Sequence, residues 1–77
     1  MAGPVKRSVT IAGHETSISL EPVFWDALKQ AADGLSLPLN AVIAQIDAQR
    51  IEMADPPNLA SAIRVWLMKR AIGRPDP

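Results

Sequence analysis

Thr16-Ser17-Ile18-Ser19-Leu20-Glu21-Pro22 is the stretch that decides how this chain folds. Thr16, Ile18 and Leu20 alternate with Ser17 and Ser19, and a period of two describes a strand with one buried face and one open face. Pro22 suits the first turn of a helix, where its missing N–H costs nothing. The chain therefore passes from strand to helix without a loop. So short a strand needs a partner for its N–H and C=O groups.

Upstream, Arg7 to Ile11 alternates again, with Val9 and Ile11 on one side and Ser8 and Thr10 on the other. Ala12-Gly13-His14 between the two runs reads as a turn, since Gly13 accepts positive φ. A hairpin over residues 7–20 is expected, after a loose tail at 1–5. The remaining edge of Thr16–Leu20 is left to pair with its own copy in a second subunit.

Downstream the period changes to that of helices. Phe24, Trp25, Leu28, Ala31 and Ala32 share one face of a helix expected over 22–33, with Gly34 as its left-handed stop. Ser36 is the expected N-cap of a second helix over 37–50, with Pro38 in its first turn and Leu39, Val42, Ile43 and Ile46 as its buried stripe. Pro56-Pro57 interrupts. Asn58 then caps a third helix over 58–72, on which Leu59, Ala62, Ile63, Trp66 and Arg70 align, and Gly73 and Pro75 close it before a tail at 73–77. Both tryptophans, Trp25 and Trp66, and the methionines Met53 and Met68 are assigned to the core. The fold class is mostly α with a short β-ribbon, α+β, in one domain spanning 1–77.

A chain of 77 residues without cysteine has a marginal core and no disulfide or zinc-thiolate to reinforce it. Oligomerisation is the remaining reinforcement, and a 48% hydrophobic composition suits a shared core. No apolar run approaches a membrane span of about 18–20 residues and no signal-peptide segment is evident, so a cytoplasmic protein without membrane contact is expected. Formal net charge is zero, yet its distribution is uneven. Residues 1–7 carry Lys6 and Arg7 and no acid, seven acids face Lys29 and Arg50 between 8 and 57, and Arg64, Lys69, Arg70 and Arg74 face only Asp76 thereafter. Basic ends around an acidic middle describe either a solubilised surface or two patches for an anionic partner.

Catalysis has little to stand on. The single histidine, His14, falls in the expected turn, and no nucleophile elbow accompanies it. Glu15 and Glu21 would lie about 20 Å apart on an extended strand, too far for acid–base pairing. Glycines at 3, 13, 34 and 73 form no phosphate loop. Neither an enzyme nor a cofactor or metal site is expected.

Ile18 and Leu20 ahead of the proline, Leu28, and Leu39-Asn40-Ala41-Val42-Ile43 together resemble the ribbon-helix-helix (Arc/MetJ-like) family over Thr16 to about Arg50. Lys6-Arg7-Ser8-Val9-Thr10 and Asn58-Leu59-x-Ser61-Ala62-Ile63-Arg64-Val65-Trp66 extend the resemblance to a small bacterial subgroup with an extra strand and a third helix. The resemblance implies a homodimer whose paired ribbons enter the major groove of double-stranded DNA, and a role in transcription regulation. It implies DNA contact by Glu15, Ser17 and Ser19, with a phosphate held at the backbone of Leu39 and Asn40. Lys6 and Arg7 would add phosphate contacts. The implied dimer interface is Thr16, Ile18, Leu20, Phe24, Leu28, Val42, Ile43 and Ile46. Serines discriminate little between bases, and Glu15 repels phosphates. The alternative is therefore a dimerisation or protein-binding module of the same fold.

Overall fold

A computed structural model describes residues 3–73. Strand β1 (Val5–Ile11) and strand β2 (His14–Leu20) form an antiparallel hairpin, followed by helices α1 (Pro22–Leu35), α2 (Leu39–Ile51) and α3 (Leu59–Ala71). This is the expected α+β architecture. Both strands are longer than the alternation alone marks out. The loop is only Ala12 and Gly13, at φ 51° and 81°, and His14 already belongs to β2. Two residues at positive φ supply the turn whose twist matches that of the strands.

One face of the hairpin lies on the helices. Val9, Ile18 and Leu20 are buried, with Ile11 and Thr16 half-buried beside them, while Lys6, Ser8, Thr10, Glu15, Ser17 and Ser19 are exposed on the other face. The helices close the core with Trp25, Leu28, Ala31 and Ala32 from α1, Val42, Ile43 and Ile46 from α2, and Ile63 and Leu67 from α3. Trp25 is completely enclosed, and its indole N–H donates to the Val5 carbonyl at 2.9 Å. That bond satisfies a polar group that burial would otherwise strand.

Three expectations about helix ends need correction. Gly34 does not stop α1; it stays helical, and Ser36 takes the left-handed conformation at φ 57°. Ser36 N–H donates to Asp33 O at 3.1 Å and Leu37 N–H to Ala32 O at 3.0 Å, the paired bonds of a Schellman ending. Leu37, half-buried, is the apolar residue that anchors it. Committed to that ending, Ser36 is not the cap of α2. Pro38 is, in extended conformation and with no side-chain hydrogen bond.

Arg50 organises the next connection. It donates to Asp47 Oδ1 at 2.9 Å and to the Pro57 carbonyl at 3.1 Å, tying the end of α2 to the approach to α3. Asn58 caps α3 as expected, its Oδ1 accepting from Ser61 N–H at 2.8 Å. Gly73 follows at φ 70°, whereas Pro75 and the other residues of 74–77 lie outside the described chain.

Candidate nucleic-acid interface

The outer face of the hairpin is a small polar platform covered by no helix. Its cross-strand pairs are Lys6 with Ser19, Ser8 with Ser17, and Thr10 with Glu15. Lys6 thus stands at the open end and Glu15 beside the turn. Hydroxyls fill the space between. Lys6, Glu15, Ser17 and Ser19 share this face as the period of two requires. Ser8 and Thr10 belong to it as well. The same alternation, read through β1, could have included them.

Arg7 does not belong to it. It pairs with Ile18 across the hairpin, and so projects towards the helices, where its guanidinium carbon lies 5.4 Å from the centre of the Trp25 ring. The two cations that open the chain therefore serve opposite faces, since adjacent strand residues must. Arg7 lids the core tryptophan through a cation–π contact.

The edges of the sheet matter as much as its face. In a two-residue hairpin the residues flanking the loop, Ile11 and His14, exchange hydrogen bonds, and so does every second pair after them. The intervening residues of β2, Glu15, Ser17 and Ser19, accordingly direct their backbone N–H and C=O away from β1. The sheet has only two strands, and no backbone hydrogen bond from another described element reaches that edge. An unpaired edge is a template for another strand.

Leu39 and Asn40 are the first two residues of α2, Leu39 half-buried and Asn40 exposed. Amides at these positions have no acceptor within the helix. Proline as N-cap contributes neither an N–H nor a capping oxygen.

Most of the residues expected at a dimer interface are enclosed within the single protomer. Leu20, Leu28, Val42 and Ile43 are 0% exposed within a single protomer, and Ile18 and Ile46 are buried with them. They form this chain's own core. Of the eight, only Thr16 and Phe24 retain surface. β1, β2 and the three helices of the same protomer enclose them.

An ion pair missed in the sequence joins the strand–helix junction to α3. Arg64 donates to Glu21 Oε1 at 3.0 Å, and its guanidinium carbon lies 5.7 Å from the centre of the Phe24 ring. A hydrogen bond from its own backbone N–H, and then Arg64, hold the Glu21 carboxyl below its ordinary range. No spacing rule links residues 43 positions apart. Among the described residues no cluster of acids and histidine is arranged to hold a metal ion, and no helix is long and apolar enough to cross a membrane.

Comparison with known proteins gives one family. The profile described as a ribbon-helix-helix domain matches residues 4–71, from the start of β1 to the end of α3. No match was found among curated proteins or solved structures.

Proposed function

The chain belongs to the ribbon-helix-helix domain family, whose members typically dimerise and regulate transcription by binding DNA, and from that premise we propose that two copies join their β2 edges and present the outer hairpin face to the major groove. The observation that carries the reading is the coincidence of a free β2 edge with an uncovered polar face on the same strand.

Pairing about a two-fold at Ser17 sets Glu15 opposite Ser19 of the second copy. It gives a four-stranded outer face with rows Lys6–Ser19–Glu15–Thr10 and Ser8–Ser17–Ser17–Ser8. Strands about 4.8 Å apart make that sheet about 14 Å wide between its outer backbones. The major groove is about 12 Å wide and admits two strands. The paired β2 strands then enter, and the β1 strands lie over the rims, where Lys6 meets phosphates. Ser17 and Ser19 face base edges. Leu39 and Asn40 offer backbone amides to a further phosphate. Arg7 stays on the Trp25 ring and makes no DNA contact.

The same rows contain the argument for a protein-binding module instead. Glu15 adds a carboxylate of each copy to the reading face, and Lys6 is its only cation. A salt series separates the two readings. Duplex binding by the parent should weaken steeply between about 50 and 200 mM salt, and Lys6→Ala should lower the log–log slope by about 1.8, two phosphates per dimer at about 0.9 each. Arg7→Ala should leave that slope unchanged. Absence of duplex binding at about 50 mM salt would favour the module.

A further inference from the structure

Met53 and Met68, expected in the core, are 53% and 57% exposed. They belong to a second apolar surface. Val65, Met68 and Ile72, each more than half exposed, lie at i, i+3 and i+7 along α3, on a different side from the buried Ile63 and Leu67. Ile72 is the residue immediately after the helix. Beside this stripe a cavity of about 230 Å³ opens between α2 and α3, lined by Met53, Pro57, Ala62, Val65, Trp66 and Lys69 among others. It is smaller than the roughly 300–1,000 Å³ of small-molecule sites and suits an inserted side chain.

Charge is arranged along this groove. α3 runs back from the loop that follows α2, so Met53, Pro57 and Ala62 mark one end and Lys69 the other. Glu52 and Asp55, both exposed, flank the loop end. Lys69 and Arg70 flank the far end, and neither has an ion-pair partner among the described residues. Arg50, at the loop end, is already neutralised by Asp47 at 2.9 Å. The patch is apolar in the middle, acidic at one end and basic at the other. A surface of that pattern complements a copy of itself turned through 180°.

We propose that the α2–α3 groove is a second self-association surface, on which another copy of this chain docks α3 against α3 about a two-fold near Val65. In that arrangement residue 68 of one copy meets residue 62 of the other. Met68 enters the loop end of the opposing cavity, and Lys69 reaches Glu52 of the opposing copy. The groove is remote in sequence from the β2 edge. If ribbons also pair, it joins dimers into larger assemblies; without ribbon pairing it makes the dimer.

Self-complementarity yields a discriminating test by sedimentation velocity of the full chain at micromolar concentration and low salt. Lys69→Glu alone, or Glu52→Lys alone, places like charges opposite each other twice per contact and should lower the particle mass to half or less, weakening association at least about tenfold. An equimolar mixture of the two variants should regain the parent's mass, because each then meets the opposite charge. The double variant should regain it alone. Both positions are exposed, and circular dichroism checks that each variant remains folded. Ser17→Pro, which removes an edge N–H of β2, tests ribbon pairing separately. Single variants with the parent's mass, or a mixture and double variant that stay at the lowered mass, would overturn the groove proposal whatever Ser17→Pro does.

Discussion

Glu21 links the end of β2 to the start of α1, and Arg64 holds its carboxylate at 3.0 Å from the middle of α3. Backbone hydrogen bonding and Arg64 favour the ionised form, so its proton is bound less readily folded than unfolded. The contribution to stability is therefore complete above the ordinary carboxylate range and lost as pH falls through the lowered value. Side chains about one-third exposed keep the effect modest. Thermal unfolding from pH 7 to pH 3 checks it. The parent should lose more stability on acidification than Glu21→Gln, and equal losses would remove the pair from the account. Arg7 and Lys6 show how much one position means at this scale. They are neighbours of equal charge, yet the pleat assigns one to Trp25 and the other to the platform.

Among the elements, α3 carries two roles on two sides. Ile63 and Leu67 complete the core, while Trp66, expected as the core residue, is half-buried at the groove with Arg70 stacked at 5.7 Å from its ring centre. Leu67→Ala should cost about 2–5 kcal/mol, as enclosed leucines do. Trp66→Ala should cost less, and chemical denaturation of the two variants gives the comparison. The reverse order would put Trp66 in the core. Periodicity made α3 legible as a helix and Asn58 as its cap, but apolar residues occur almost all round it, so the inward side had no unique signature. The hairpin was more legible because alternation in two adjacent runs permits only one pairing across a tight turn. Helix junctions were less so. Gly34 and Ser36 carry plausible local signals, and Leu37's need for the core shifted the stop by two residues. Ion pairs such as Glu21–Arg64 depend on tertiary placement that no local pattern encodes.

At the scale of the molecule, the hairpin and the three helices of one copy build a closed core. A single copy already encloses Ile18, Leu20, Leu28, Val42 and Ile43. The family resemblance places those side chains between subunits, whereas the proposed pairing uses the β2 edge and leaves them inside each copy. The DNA reading depends on the outer platform, where Glu15 is the residue least suited to phosphates. Substituting Glu15→Arg changes each copy by two charges without touching the core. Titrating the parent and Glu15→Arg against the same labelled duplexes from about 50 to 200 mM salt tests the platform directly. If it faces the groove, both proteins bind, and Glu15→Arg binds more tightly with a steeper salt slope. Identical titrations for the two proteins, or no binding by either at the lowest salt, would contradict it.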